Sequence, residues 1–189
     1  MRIIAGMYKG RALKSTTGPG FRPAMGAVRE ALFSMLESRD IVWEETRILD
    51  LFAGSGSLGF EALSRGAAHV CFVDAAAYAA KVITANAETF GVSPERYNVV
   101  QSQTGKMLGK RAPAPYDLVF IDPPYKDTVL AYTVKKLLAN GWVKPGALVN
   151  AEIEARQRIA PEAVHPELVL HADRSYGQTR VLIWEVSRP

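Results

Sequence analysis

Hydrophobic and polar positions divide the chain into two parts with different spacing. In the first part, an apolar run followed by a turn at residues 8–10 predicts a hairpin over residues 1–15. The Gly- and Pro-rich residues 16–21 predict a loop. Pro23 suits the first position of a helix, and the apolar residues after it recur with helical spacing, which predicts a helix to about residue 36.

The second part, from Arg47 onward, alternates short apolar runs with longer helical patterns. The apolar runs cover residues 48–52, 70–74, 99–100, 118–122, 147–153, 168–171 and 180–186. The helical patterns cover residues 57–65, 77–90 and 128–139, with Gly66, Gly91 and Gly141 as candidate C-caps. This alternation predicts an α/β fold with a doubly wound, mostly parallel, Rossmann-like sheet of seven strands. The last two strands should form a hairpin, because no helix separates them.

The same pattern predicts how the chain is organised. We expect a small N-terminal hairpin-plus-helix extension over residues 1–40 and one larger domain over residues 41–189. A length of 189 residues is enough for one sizeable core. A 48% share of hydrophobic residues with a net charge of only +4 excludes a mainly disordered chain.

Other features of the composition bear on location and metal binding. Cys71 is the one cysteine, so no disulfide framework is expected. The most apolar stretch, residues 70–80, contains Asp74 and is too short to span a membrane. Lys9 precedes any secretory hydrophobic segment, so we expect a cytoplasmic protein. The three histidines have no metal-ligand spacing with Cys71, and we expect no metal.

Positive charge is concentrated in the N-terminal extension. Residues 1–39 hold seven basic and two acidic side chains, a net charge of +5, which leaves −1 for the remaining residues. A basic arm on a nearly neutral body favours a polyanionic partner such as a nucleic acid. The alternative is a basic surface that is merely solvated.

Candidate chemistry lies where the predicted parallel strands end. Three of these strands end in or contain an acid: Asp50, Asp74 and Asp122. Because loops at the carboxyl ends of a doubly wound sheet carry ligands, we expect these acids to define a site.

A glycine-rich loop follows the first of these strands. Gly54, Gly56 and Gly59 fit the pattern G-x-G-x-x-G, and Asp74 lies 20 residues after Gly54. This is the dinucleotide-binding fingerprint, with an acid for ribose hydroxyls; a tight turn without a ligand is the alternative. An anionic Asp50 would repel a pyrophosphate and suit a cation, which favours S-adenosylmethionine over NAD. The other role for Asp50 is to accept N–H bonds from the loop.

The tetrapeptide Asp122-Pro123-Pro124-Tyr125 closes a predicted strand. Its prolines remove two backbone donors and keep the chain extended. This arrangement suits a planar group that bears an amine: Asp122 and the Pro123 carbonyl accept its N–H groups, and Tyr125 stacks on the ring. Such acceptors stabilise the positive charge that develops on nitrogen during methyl transfer. With an ordinary pKa of about 3.9, Asp122 is not expected to deprotonate the neutral amine beforehand. A Pro-rich turn with a buried tyrosine is the alternative.

Together these motifs resemble a known family. The loop at residues 50–59, Asp74 and residues 122–125 resemble class I S-adenosylmethionine-dependent methyltransferases that modify exocyclic amines. A narrower resemblance, over essentially the whole chain, is to the RsmD-type ribosomal RNA guanine-N2 methyltransferases. It rests on the opening MRIIAG, Arg22-Pro23, and residues 28–33, 61–67 and 176–179.

The resemblance implies a role for each candidate residue. The cofactor-binding residues it implies are Asp50, Phe52, Ala53, Gly54, Ser55, Gly56, Asp74, Gln103 and Thr104. Residues 122–125 would hold one specific guanine of 16S rRNA within a small ribosomal subunit. The RNA contacts would be Arg11, Arg22 and Arg29 of the extension, with Tyr176 at the edge of the pocket or as a structural turn residue. The protein would act as a monomer. Gln103 departs from the family, which usually has Asp or Asn there to meet adenine.

Four other functions fit part of the pattern. A DNA adenine or cytosine-N4 methyltransferase shares the tetrapeptide but usually has an added sequence-reading region. A protein glutamine methyltransferase usually has Asn in place of Asp122. A dehydrogenase would leave residues 122–125 unexplained. A non-enzymatic RNA-binding assembly factor would bind RNA without the cofactor.

Overall fold

The computed structural model describes residues 1–15, 23–123 and 127–188, with the backbone alone at residues 23–25 and 127–128. Its central feature is a sheet of seven strands in the order β3-β2-β1-β4-β5-β7-β6. The strands are β1 Arg47–Leu51, β2 His69–Asp74, β3 Tyr97–Gln101, β4 Tyr116–Ile121, β5 Val143–Glu154, β6 Leu168–Tyr176 and β7 Thr179–Val186. The first five are parallel, and β6 and β7 are antiparallel. This topology confirms the predicted fold class.

Helices cover both faces of the sheet. They are α1 Pro23–Glu37, α2 Ser57–Arg65, α3 Ala77–Phe90, α4 Thr104–Leu108 and α5 Asp127–Ala139. The first three share a buried hydrophobic cluster with one face, and α4 and α5 share a second cluster with the other face. The central strands β1, β2 and β4 are buried on both sides, which explains why they are almost continuously apolar in the sequence.

Several boundaries differ from the sequence prediction. Helix α4 was not predicted, because five residues are too few to show a helical period. Strand β5 begins before the predicted run, and β6 continues to Tyr176, where the hairpin turn is tighter than expected. Gly66 and Gly91 are left-handed C-caps, as predicted. The predicted loop at residues 16–21 lies outside the described residues. Within the described part of the chain, no helix has the length and apolarity needed to cross a membrane.

The N-terminal extension packs against the sheet domain. Arg2 and Ala12 form an antiparallel bridge, which confirms the predicted hairpin. Ile3, Tyr8 and Leu13 are buried in the same hydrophobic cluster as the strands, and Tyr8 stacks on Phe90 of α3 with ring centroids 5.3 Å apart. The extension and the sheet therefore share one core.

The outer end of α2 is the docking surface for this hairpin. The backbone N–H of Met7 donates to the Ser64 carbonyl at 2.8 Å, and the N–H of Tyr8 donates to the Ser64 hydroxyl at 2.9 Å. A Cβ on Gly6, whose φ is +78°, would lie 1.8 Å from the Ser64 carbonyl oxygen. Only glycine allows the hairpin to lie this close to the helix.

A buried carboxylate, Glu61, holds the extension in place. Its side chain is fully buried on α2 and accepts the backbone N–H groups of Ile4 and Ala5 at 2.8 and 3.0 Å. It also forms an ion pair with Arg65 at 3.0 Å and lies 3.7 Å from the Nε of Arg29. Charge-assisted bonds of this kind offset the cost of burying the carboxylate.

We expect Glu61→Ala to lower the free energy of unfolding by about 3–5 kcal/mol, because the substitution leaves buried donors and cations without their acceptor. Glu37→Ala is the matched control: Glu37 pairs with the same Arg65, but its side chain is 46% exposed, so its loss should stay within about 1 kcal/mol. Urea unfolding followed by circular dichroism measures both. Equal losses in the two variants would contradict the assignment.

Candidate active site

The carboxyl ends of the central strands bring four acids to one edge of the sheet. Asp50 lies in β1, Asp74 ends β2, Asp122 follows β4 and Glu152 lies near the end of β5. Ile121 of β4 is opposite Ala151 of β5 in register. Asp122 and Glu152, the next residue on each strand, therefore lie next to each other. Their side chains are on the face of the sheet that α1 covers.

The glycine loop turns the chain from β1 into α2. Phe52 has a φ of 59°, a left-handed conformation that is uncommon for a residue other than glycine. Gly54 and Gly56 also have positive φ, and the Gly56 N–H closes the turn on the Ala53 carbonyl at 2.7 Å. The buried amide of Asn86 in α3 donates to the carbonyls of Ser55 and Lys14, so it links this loop to the N-terminal extension.

The third glycine of the fingerprint is required by packing. A Cβ on Gly59 would lie 2.2 Å from a ring carbon of Phe72 and 2.8 Å from a methyl carbon of Val70. Helix α2 therefore lies directly on β2, and this contact fixes where the helix begins.

Asp50 is buried below the loop and only 2% exposed. It accepts the N–H of Gly59 at 3.1 Å, a bond to α2 itself. Burial raises the pKa of Asp50 well above its ordinary value, and the charges of Asp122 and Glu152 add to that shift. From the sequence, Asp50 is expected to be an ordinary anion. In the structure the anion is disfavoured until a cation approaches.

Asp74 faces the opposite side of the same loop. One carboxylate oxygen accepts the N–H of Gly54 at 2.8 Å, and the other accepts the N–H of Ala76 at 2.8 Å, just before α3. A carboxylate has about four lone-pair sites, so this side chain keeps acceptor capacity for further donors. Its placement suits the ribose hydroxyls that the sequence assigned to it.

Two recesses open at this edge. The larger, about 810 Å³, is lined by residues that include Asp74, Gln103, Thr104 and Tyr132. The smaller, about 110 Å³, is lined by residues that include Met1, Arg29, Asp50 and Glu152. Phe52 and Asp122 line both recesses, so they stand where two bound molecules would meet.

Several residues of these recesses were not predicted from the sequence. Val129, Tyr132 and Thr133 of α5 line the larger one, and Glu152 lines the smaller one. The α5 residues carried no signal, because their helical spacing is also that of an ordinary packed helix. Gln178 and Thr179, which belong to the segment that carried the resemblance, line the smaller recess.

The acids between the recesses are hard to ionise. Asp122 is accessible to solvent, yet the protein around it desolvates the carboxyl group and raises its pKa to about 6. The ordinary acidity expected from the sequence is therefore wrong for Asp122. Burial, with the charge of Asp122, raises the pKa of Glu152 to about 8, and Arg29 opposes that shift.

The predicted RNA contacts differ in their placement. Arg11 is exposed but donates to the carbonyls of Thr89 and Phe90 at the end of α3. Arg29 is only 4% exposed, and its Nε lies 3.7 Å from the buried Glu61, so it does not present the exposed charge expected of an RNA contact. Tyr176 is half-buried against the core, as a structural turn residue would be. Arg22, Pro124 and Tyr125 lie outside the described residues. In the residues that are described, no cluster of three or more His, Cys, Asp or Glu side chains could hold a metal.

The fold and this site define the class of α/β methyltransferases. Two solved structures share the fold over nearly their full length at 32% identity. One is a putative methyltransferase from Escherichia coli with a TM-score of 0.85, and the match covers 100% of this chain and 99% of that chain. The other is a putative methylase from Haemophilus influenzae with a TM-score of 0.82, and the match covers 99% of this chain and 98% of that chain.

Within that class, the chain belongs to the family described as conserved hypothetical protein 95, which matches residues 1–185. Relatives named ribosomal RNA small subunit methyltransferase D occur in Haemophilus influenzae and Escherichia coli. The first is 37% identical over 86% of this chain and 83% of its own length. The second is 34% identical over 98% of this chain and 89% of its own length. These matches confirm the family resemblance drawn from the sequence.

Close packing under the loop gives a first test of the site. We expect Gly59→Ala to lower the free energy of unfolding by about 1–3 kcal/mol, because the added methyl group overlaps Phe72. Gly26→Ala in α1 is the control, since its Cβ would meet no heavy atom of the described residues within 4 Å outside its own helix. That substitution should stabilise the protein by about 0.5–1 kcal/mol. Urea unfolding compares them, and two similar effects would contradict the packing argument.

The raised pKa of Glu152 gives a second test. The folded protein retains a proton that the unfolded chain releases, so stability falls as pH rises from about 4.5 to about 8. Glu152→Gln removes this loss. The stability of the variant relative to wild type should therefore increase over that window by at least about 1 kcal/mol, since one pKa unit corresponds to about 1.4 kcal/mol. Urea unfolding at both ends of the window measures the difference, and a constant difference would rule out the shift.

Proposed function

We propose that this protein transfers a methyl group from S-adenosylmethionine to the exocyclic N2 amine of one guanine in 16S rRNA. The substrate would be an assembled small ribosomal subunit, and the enzyme would act in the cytoplasm as a monomer. The single observation that carries the proposal is the position of Asp122, which lines both recesses at the end of β4. The names of the relatives support ribosomal RNA as the substrate.

The larger recess fits the cofactor. Asp74 offers free acceptor sites for the ribose, and Gln103 and Thr104 lie at the edge where an adenine would meet the end of β3. Tyr132 adds an aromatic wall. Residues 52–56 and Asp50 suit the methionine end, which would reach from the larger recess to the part of the smaller one that Asp50, Phe52 and Ala53 line. The carboxyl group of Asp50 gains its charge most easily beside a cation. When bound, S-adenosylmethionine supplies an electrophilic methyl group on a sulfonium.

Asp122 would hold the acceptor amine at the junction of the recesses. Its carboxylate and the Pro123 carbonyl each accept an N–H of the amine, which orients the nitrogen and stabilises the positive charge that develops on it. A pKa of about 6 makes Asp122 a better proton acceptor than an ordinary aspartate. It would receive the proton that the methylated nitrogen releases. Pro124 and Tyr125 keep their proposed roles, the ring of Tyr125 stacking on the guanine.

The basic extension would bind the RNA around the target. Arg2, Lys9, Arg11 and Lys14 are exposed on the hairpin, whose first residue, Met1, lines the smaller recess. Because the extension shares its core with the sheet, it presents these charges at a fixed distance from Asp122. The guanine must leave its stack to reach Asp122, which costs a few kcal/mol unless it already lies in a loop.

The decisive experiment measures methyl transfer from labelled S-adenosylmethionine to small subunits from cells that lack the protein, with the nucleoside product identified. Wild type should form N2-methylguanosine at a rate that rises with pH through about 6, the pKa of Asp122. Asp122→Ala should be at least about 100-fold slower, because it loses the acceptor for the amine.

Asp117→Ala is the matched control, since Asp117 lies at the other end of β4 and pairs with Lys144. It should keep wild-type activity. Cofactor binding without methyl transfer to subunits or naked rRNA would overturn the proposal that rRNA is the substrate. No cofactor binding would overturn the enzymatic function and favour an RNA-binding assembly factor.

A further inference from the structure

Glu152 is an acid of the smaller recess that the proposed reaction does not use. It lies beside Asp122 on the neighbouring strand, and both side chains line the recess. Glu152 is half-buried and lines the recess, so a molecule in the recess can reach it. Burial raises the pKa of Glu152, and repulsion by Asp122 adds to that shift. A pair that opposes its own ionisation is costly, so a functional reason is expected.

Arg29 is a cation that stabilises the ionised form of Glu152. It lines the same recess, and its charge lowers the pKa of Glu152. Its guanidinium donates to the Arg2 carbonyl and the Met1 sulfur, and within the described residues its buried Nε has no hydrogen-bond partner. The recess therefore combines the carboxyl groups of Asp50, Asp122 and Glu152 with the fixed cation of Arg29, and hydrogen-bond donors are the groups that would complete it.

The edge of guanine presents such donors side by side. Its N2 amine is adjacent to N1–H, whereas the amine of adenine is adjacent to N1 and that of cytosine to N3, and both of these nitrogens are acceptors. An acceptor placed next to Asp122 therefore distinguishes guanine from the other two bases that carry an amine. A base that leaves its stack is read by this kind of contact to its Watson–Crick edge.

We propose that Glu152 is the residue that selects guanine, by accepting N1–H while Asp122 holds the adjacent N2 amine. This inference rests on the proposed function and adds the group that recognises the base. The role does not require an ionised carboxylate. A protonated Glu152 accepts N1–H through its carbonyl oxygen and donates its O–H to O6 of guanine. Burial and the charge of Asp122 oppose ionisation of Glu152 and Arg29 favours it, so both forms can occur near neutral pH.

The test replaces the target guanine by 2-aminopurine, which keeps the amine but has an unprotonated N1 and no O6. Small subunits are reconstituted on 16S rRNA with either base ligated at the methylated position. For wild type, kcat/KM should favour guanine by at least about 100-fold, because a site built to bind a donor strongly rejects its analogue. In Glu152→Ala, activity on guanine should fall at least about 10-fold, and the preference should shrink below about 10-fold.

Glu152→Gln keeps an acceptor of the same shape, so its preference should stay within about 10-fold of wild type. Glu185→Ala is the control: this acid of β7 lies opposite Leu148, towards the amino end of β5, and should leave both activities unchanged. Thermal unfolding checks that each variant is folded.

The outcomes separate the two proposals. If wild type modifies guanine and Glu152→Ala keeps the full preference, the role of Glu152 is overturned and the proposed function stands. If Glu152→Gln loses the preference for guanine as completely as Glu152→Ala does, the proposal that Glu152 accepts N1–H is overturned. If wild type modifies neither base, the proposed function itself fails.

Discussion

The buried carboxylate of Glu61 is the interaction on which the rest of the site depends. A carboxylate that loses all its water is tolerated only when several donors replace that water. Here the donors come from the N-terminal hairpin, from α2 and, at longer range, from α1. Because α2 also carries the glycine loop at its start, one helix fixes the loop, the hairpin and Arg29 relative to one another. The smaller recess exists because these parts meet.

The acids at the sheet edge lie where ionisation of a carboxyl group is unfavourable. Burial raises the pKa of Asp50, Asp122 and Glu152, and the charge of Asp122 adds to the shifts of the other two. The fold would gain stability if one of them were apolar, so their presence marks a site that is optimised for a ligand and not for folding. Cationic groups and hydrogen-bond donors relieve this repulsion when they bind.

The sequence predicted the sheet well, because parallel strands buried on both faces stand out as apolar runs. It also located Asp50, Asp74 and Asp122, since strand ends in such a sheet are identifiable. The burial of Arg29 could not be predicted, because it depends on Glu61, a residue of a different helix. Glu152 was hidden within an apolar run. Its position beside Asp122 depends on the register of β5 against β4, which shifts between Tyr116 and Leu118, and no local pattern encodes that shift.

The hairpin arginines have a consequence for the kinetics and salt response of any polyanion that binds this surface. Arg2 donates to the Gly10 carbonyl at 2.6 Å, and Arg11 lies 4.7 Å from the Phe90 ring centroid while it donates to two carbonyls. Their partners are neutral, so both guanidinium groups keep their full charge at fixed positions. Ordering a long side chain on binding usually costs about 0.5–1.5 kcal/mol, and here much of that ordering precedes the encounter. The hairpin is in this sense a preorganised electrostatic template, which displaces counterions without having to fold around its ligand.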